Sequence, residues 1–530
     1  ADDNVAIGRS ALATDTLGSK SVAIGNNTLN AQNFTTATDT YNTVVGYNAG
    51  NDITTGTSNT LIGGLAGDAL TDADFNIAIG VNSLTSDTLG SRSVAIGMGT
   101  LQTQNFTTAT NSHNTAVGYN AGQEITTGTN NTLIGSSAGD ALTDADLNVA
   151  VGFGSLGFDQ LGSKTTAIGY RALGTQRFTT ATNSHSTAVG ADAGLEITTG
   201  LEDTLLGSAA GDALTVGSYN VALGSFALSA DTAGSQNVAV GRGALLSQNF
   251  TTATNSLNTA VGMHAGNAVT TGVQNTLFGA LAGDALTDAD FNVAVGYGAL
   301  TADTLGSRST AIGWSALGTQ NFSTAVISNN TAVGYEAGLS VTTGRHNTIM
   351  GTNAGDGLTD ADFNVSVGSL SLTADTLGSK STAIGYATLQ TQNFTTATDT
   401  FNTAVGAYAG VAVTTGAGLT LIGGLAGDAL TVGTNNTAVG GAALGSDTKG
   451  SRSVALGNSA LQTQNFTTAT NAYNTGLGYG AGSDITTGVQ NTFVGGLAGD
   501  ATDDGTNNVA VGFEALSANC GSQNTALGTR

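Results

Sequence analysis

A five-residue word, roughly Asn-(Val/Thr)-Ala-(Ile/Val/Leu)-Gly, opens the chain at Asn4 to Gly8 and recurs to its end. Its glycines fall at Gly8, Gly25, Gly46, Gly63 and Gly80, in steps of 17, 21, 17 and 17 residues. The steps total 72, and Gly8, Gly80, Gly152, Gly224, Gly296, Gly368, Gly440 and Gly512 keep that spacing without a slip. Register this strict means that each turn of chain stacks on the next and tolerates no insertion, which is the signature of a solenoid. The words alternate with period two, so each reads as a short strand. About thirty coils at the ~4.7–4.8 Å strand spacing predict a rod of about 140 Å.

Composition agrees with a continuous backbone ladder. There are 78 glycines and no proline in 530 residues, charged residues are 9% and aromatics 5%. Proline removes a backbone donor, and a ladder can spare few of those. At 40% hydrophobic residues, placed at regular β-branched positions, the chain is too apolar for disorder. No helix-period segment of useful length occurs. The expected fold is therefore all-β: one continuous parallel β-roll over residues 1–530, without an internal domain boundary.

Within the word, Val5 and Ile7 point one way and Asn4, Ala6 and Gly8 the other. The Ala6 slot becomes Leu61, Leu133, Leu205, Leu277, Ile349, Leu421 and Phe493 in every fourth coil. Both faces are thus apolar, and a strand apolar on both faces is covered on both. We expect Val5 and Ile7 to fill the lumen, leaving the Ala6 face for another copy of the chain. The rest of each coil is expected to supply a second short strand and two turns. Segments such as Tyr47-Asn48-Ala49-Gly50 and Ile53-Thr54-Thr55-Gly56 bring the turn residues. Most words begin with Asn, otherwise mainly Ser or Thr, predicting a polar ladder along the stack.

Ser-Val-Ala-Ile-Gly (Ser21 to Gly25) and Asn-Thr-Ala-Val-Gly (Asn114 to Gly118) resemble the head repeat of YadA-like trimeric autotransporter adhesins and of similar bacteriophage tail-fibre shafts. The resemblance runs over essentially the whole chain. It implies a left-handed parallel β-roll, three chains side by side, and an extracellular, cell-surface or virion-borne attachment role with a cell-surface or matrix receptor. Two features depart from the family: the coils are longer than the usual head repeat, with every fourth lengthened to 21, and no signal, neck, stalk or anchor is present in the segment. The chain begins in mid-repeat, Ala1 to Asn4 matching Ala73 to Asn76, and stops at Gly528-Thr529-Arg530. We therefore read it as a segment of a longer protein.

Several rows of residues are candidate sites. The lengthened coil carries Gln-Asn-Phe-Thr-Thr-Ala-Thr, centred on Phe34, Phe106, Phe178, Phe250, Phe322, Phe394 and Phe466. A row of receptor-binding loops is one reading; a buckle whose phenylalanine packs on the coil edge is the favoured one, since an exposed ring need not be invariant. Asp68, Asp140, Asp212, Asp284, Asp356 and Asp428, with Asp72 and Asp74 nearby, suggest either calcium ligands or turns organised by aspartate. The second is commoner, and two blocks replace the acidic pair with Val216-Gly217-Ser218 and Val432-Gly433-Thr434. A third row, Asp15, Asp87, Asp159, Asp231, Asp303, Asp375 and Asp447, precedes a basic slot by five residues: Lys20, Arg92, Lys164, Arg308, Lys380 and Arg452, with Gln236 once. This spacing predicts surface or inter-chain ion pairs.

The slot after the motif glycine holds Arg9, Val81, Phe153, Ser225, Tyr297, Ser369, Gly441 and Phe513, and such tolerance predicts exposure. His113, His185, His264 and His346 show no metal-ligand spacing, and Trp314 and Cys520 read as packing residues. One cysteine permits no intrachain disulfide. Gly63-Gly64-Leu65-Ala66-Gly67 lacks the lysine of a phosphate loop. A net charge of −24 opposes nucleic-acid binding, and no apolar run is long enough for membrane insertion.

These observations favour a non-enzymatic attachment fibre that assembles with itself and needs no cofactor or metal. Bacterial adhesin and tail-fibre shaft with a receptor-binding tip stay open as alternatives. An ice-binding solenoid would need threonine in one slot of every coil, and Thr54, Thr126, Thr198 and Thr270 recur only once in four. A solenoid enzyme is opposed by the absence of an asymmetric constellation.

Overall fold

The structure, a computed structural model, describes residues 1–529. The chain divides into two compact units, Ala1–His264 and Ala265–Arg530. Within each, every word forms a three-residue strand that pairs in parallel with the next word, one coil on. In the first unit Val5, Ala6 and Ile7 lie opposite Val22, Ala23 and Ile24, and Thr43, Leu61 and Val45 belong to the Thr43–Val45 and Thr60–Ile62 pair. In the second, Thr403–Val405 pairs with Thr420–Ile422 and that strand with Thr437–Val439. Lengthened coils keep the same register, since Val22–Ile24 meets Thr43–Val45 word to word. The chain is thus a parallel β-solenoid of turns and short strands, with no helix among the described residues.

The two strand faces are the reverse of expectation. Ala23, Ala78 and Ala95 are buried in the lumen with Leu61 and Leu133, whereas Ile62, Ile96 and Ile134 face outward. The reason is space. Each coil encloses a narrow lumen that in many coils already holds a leucine from four positions beyond the motif glycine, such as Leu29, Leu84 and Leu101. A small residue, mostly alanine, then fits on the strand slot. Where the strand slot enlarges, the turn slot shrinks: a Cβ on Gly50 would lie 2.9 Å from Leu61 Cδ1, and one on Gly67 3.0 Å from Leu61 Cδ2. Leu61 therefore occupies room that two neighbouring glycines vacate. In the second unit Phe493 takes the same slot opposite Gly476, which replaces alanine, and beside Gly482 and Gly499. Large and small residues alternate so that volume is conserved, as a close-packed interior requires.

The motif glycines have their own cause. Gly25 has φ +141°, and a Cβ there would come within 2.2 Å of the Gly46 carbonyl oxygen. No side chain can stand there. The return side of the coil also differs from expectation. A second strand, two residues long, exists only where a 17-residue coil meets a lengthened one, as in Gly90–Ser91 with Thr110–Asn111. Other coils return through turns, whose backbone groups bond to the adjacent coil, for example Leu65 N–H to Tyr47 O and Gly67 N–H to Ser83 O, both at 2.9 Å.

The polar ladder forms as expected, and it is buried. Asn59 N–H donates to Asn42 Oδ1 at 2.9 Å, Asn76 N–H to Asn59 Oδ1 at 2.9 Å, and Ser93 N–H to Asn76 Oδ1 at 2.8 Å. Each amide NH2 reaches a carbonyl fourteen residues on, Asn59 Nδ2 to Ala73 O at 2.8 Å and Asn76 Nδ2 to Gly90 O at 2.9 Å. Asparagine suits this slot because it accepts from one coil while donating within its own.

Candidate functional site

The Asp87 row lies inside the coil, and its predicted pairing with the basic slot does not occur. Asp87 Oδ1 accepts from Gly90 N–H at 3.0 Å and Phe106 N–H at 3.1 Å, and Oδ2 accepts from Gln104 Nε2 at 2.6 Å. Gln104 continues the network to Ser93 Oγ, and its Oε1 accepts from Asn114 Nδ2 at 2.9 Å. The same arrangement repeats at Asp159, Asp303, Asp375 and Asp447. Burial pushes the Asp87 carboxyl above its usual range, against the pull of these donors. Its partner is thus its own backbone and the insertion one coil on, which the residue spacing alone could not reveal.

This network seats the phenylalanine insertion. Phe106 is buried, its ring against Gly90, where a Cβ would lie 2.7 Å from Phe106 Cδ2. Phe34, Phe178, Phe250, Phe322, Phe394 and Phe466 are buried as well. The rings pack on the coil edge, as the favoured reading expected, and Thr88 Oγ1 fastens the loop by donating to Phe106 O at 2.8 Å.

The basic residues point outward from a slot with left-handed backbone, φ 63° at both Lys20 and Arg92. Lys20 Nζ meets Asp39 Oδ2 at 2.7 Å and lies over the Tyr41 ring, 5.2 Å from its centre. Lys380 repeats both contacts with Asp399 and Phe401. Arg92 lies over Phe75 and Arg308 over Phe291. In each unit, cations of this slot thus lie over aromatic rings of the same slot one coil away, each contact modest because the groups are exposed. His113, His185 and His346 share this slot, at φ 50°, 52° and 59°, and stand in non-adjacent coils.

The Asp68 row organises turns. Thr85 Oγ1 donates to Asp68 Oδ1 at 2.5 Å and Thr301 Oγ1 to Asp284 Oδ1 at 2.5 Å. Desolvation raises the carboxyl of Asp68, with the nearby Asp52 adding to it. Among the described residues no group of three or more His, Cys, Asp or Glu is placed to hold a metal ion.

The slot after the motif glycine is exposed at its large residues, Val81, Phe153, Tyr297 and Phe513. It is also where Trp314 sits. That ring is outward and stacked between Tyr297, at 6.3 Å, and Tyr335, at 5.1 Å, rather than packed in a core. Cys520 is half-buried near Thr502 Oγ1, 3.6 Å from its sulfur.

One polar residue escaped the sequence reading. Asp203 occupies the buried asparagine slot, fully enclosed, and desolvation raises its carboxyl to about 7. Its Oδ1 accepts from Asn220 N–H at 2.8 Å, while Oδ2 has no partner. Alignment of the words alone would have shown it.

The dominant outer feature is the strand face itself. Ile62, Ile134 and Leu206 are 39%, 40% and 38% exposed; the first strand slot is threonine beside them and valine, threonine or Ile77 along the rest of the unit. Over the fifteen coils of each unit this apolar stripe runs about 70 Å at the strand spacing. No family model matches the chain, and no curated protein matches it. No helix of the described residues is long and apolar enough to cross a membrane.

Proposed function

We propose that the chain is a structural segment of an extracellular or virion-borne attachment fibre, working as three parallel copies packed through their Val/Ile strand faces. The observation that carries this reading is the outward apolar stripe. A soluble monomer seldom exposes a contiguous apolar patch beyond a few hundred Å2, and a long straight stripe of one register is self-complementary to its own copies. The YadA-like words support the same assembly, a left-handed roll with three chains abreast, and either an adhesin or a tail-fibre owner. The repeated ladders, with no asymmetric set of acid, base and nucleophile, support a structural rather than a catalytic role.

Sedimentation velocity and native mass measurement on the full chain test the assembly. The wild type should have the mass of three chains. Ile62→Asp, Ile134→Asp and Leu206→Asp together should bring it to one chain with the β-sheet circular dichroism retained, because these charges are buried only in the assembly. Leu61→Asp should instead disrupt the coil. A monomeric wild type would sink the reading.

A second reading rests on one observation. Thr382, Thr403, Thr420 and Thr437 stand opposite one another in successive coils on the outer face, beside a column of Ile and Val. Over these four coils, bounded by Val365 and Val454, it is the threonine column an ice-facing solenoid needs, in a different slot from Thr54. A monomer that facets growing ice crystals would favour it over the fibre.

A further inference from the structure

In the first unit the surface carries a hollow of about 220 Å3, lined by Asp140, Phe153, Gly157, Phe158, Arg171 and Gly174, among others. We propose that this hollow is a binding site for one neutral hexopyranose unit of a saccharide.

The hollow exists because several slots depart together from the residues found 72 positions away. Gly157 stands where Thr85 and Thr301 stand, and Gly174 where Gln102 and Gln390 stand; glycine recurs singly at Gly445 and Gly318, and this block combines the two. Both glycines are buried in the wall, and the side chains they lack are the ones that fill this space elsewhere. Phe158 replaces Ser86 and Ala302, and Arg171 replaces Gly99 and Ser315. Phe153 and Phe158 are 55% and 65% exposed. Phe153 is held in place by stacking on Tyr170, with ring centres 5.7 Å apart.

The departures also remove one partner of a carboxylate, Asp140, which keeps a hydrogen bond to Ser137 in the same wall. Thr85 and Thr301 donate to Asp68 and Asp284, but Gly157 has no hydroxyl to offer Asp140. A Cβ at Gly157 would lie 3.4 Å from Asp140 Oδ1, which places that oxygen at the wall of the hollow. Neither Asp140 nor Arg171 forms an ion pair among the described residues.

The chemistry that matches is amphipathic and uncharged. The volume suits a single ring rather than a drug-sized ligand. Phenylalanine faces carry partial negative charge and attract the polarised C–H groups of a pyranose. Asp140 accepts from hydroxyls, and Arg171 donates to ring or hydroxyl oxygens in a fixed fork. An anion is opposed by Asp140 and by the net charge of −24, and a cation by Arg171. The hollow lies at the turns, off the Val/Ile face, so the site does not depend on the assembly proposed above.

Saturation-transfer NMR on the full chain tests it, with glucose, galactose, mannose and N-acetylglucosamine as probes and free phenylalanine as the zwitterionic comparison. At least one hexose should receive transfer to its ring protons. The signal should fall at least tenfold in Gly157→Thr with Phe158→Ser, which restores the residues found 72 positions earlier. Phe158→Ser alone, a change to an exposed side chain, should reduce it several-fold and guards against misfolding of the double variant. The proposal is overturned if no hexose receives transfer, if both variants bind as the wild type does, or if phenylalanine binds and the hexoses do not.

Discussion

Replacing Asp203 with asparagine should stabilise its coil, and increasingly so as pH rises. The folded carboxyl titrates at about 7 against 3.8 in the unfolded chain, because burial disfavours its charged form. Between those values the folded state holds a proton that the unfolded state has lost. Stability from the neutral carboxyl is therefore complete below 3.8 and declines until the pH passes 7. At 1.36 kcal/mol per unit, the window of about 3 units corresponds to about 4 kcal/mol. Asparagine removes this dependence and restores a donor: in the equivalent coil Asn131 Nδ2 reaches Ala145 O at 2.7 Å, whereas Asp203 Oδ2 is unpaired. A solenoid opens locally, so the assay is hydrogen exchange read by mass spectrometry on peptides covering residues 186–220. Residues 114–148, built on Asn131, serve as the internal control. About 1.5 units of the window lie above pH 5.5, so going to pH 8.5 should widen the gap between variant and wild type by about 2 kcal/mol, roughly 30-fold in exchange rate. Equal widening in the control peptides, or a gap independent of pH, would refute the burial argument.

Leu61→Ala should cost about 2–5 kcal/mol locally, since Gly50 and Gly67 cannot fill the void, and urea-induced loss of protection around residues 44–84 would report it. Asp87→Ala strands two backbone donors and Gln104, so it should cost about 3 kcal/mol and open the Phe106 loop to proteolysis, which cleavage mapping between residues 104 and 112 would detect. Chelator treatment should leave the thermal transition within a few degrees of its untreated value; a large drop would promote the Asp68 row to a calcium site.

The solenoid was legible because its cause is one-dimensional. A coil that must stack on its neighbour fixes the spacing of Gly25 and Gly46, and that spacing is written directly in the chain. The asparagine row and the packed Phe106 insertions were legible for the same reason, as slots that recur at fixed spacing, the first with Ser or Thr as its main substitutes and the second without change. What could not be read was direction. Asp87 and Lys20 belong to slots five residues apart in sequence, and that spacing suggests contact. In the folded coil the aspartate turns inward to Gly90 N–H, while the basic residue, in left-handed backbone, turns out toward the next coil. Spacing along a chain predicts contact only where the local period is known, and here the segment between them is a turn.

The inverted strand faces follow from the same gap. Val/Ile and Ala/Leu slots are both apolar, so hydropathy cannot choose between them. Volume can. A leucine appears on the Ala6 slot only in coils flanked by glycine at the turn slot, Gly50 and Gly67 around Leu61, Gly338 and Gly355 around Ile349. Such compensation is expected where space is closed and has no reason to arise on an open face. The Val/Ile slots show no compensation of that kind: Phe278 and Met350 replace isoleucine there without a neighbouring reduction in size. Covariation in volume thus marks the lumen and its absence marks the outer face. What covers that face is then a question about surfaces rather than cores, and the mass of the native particle decides it.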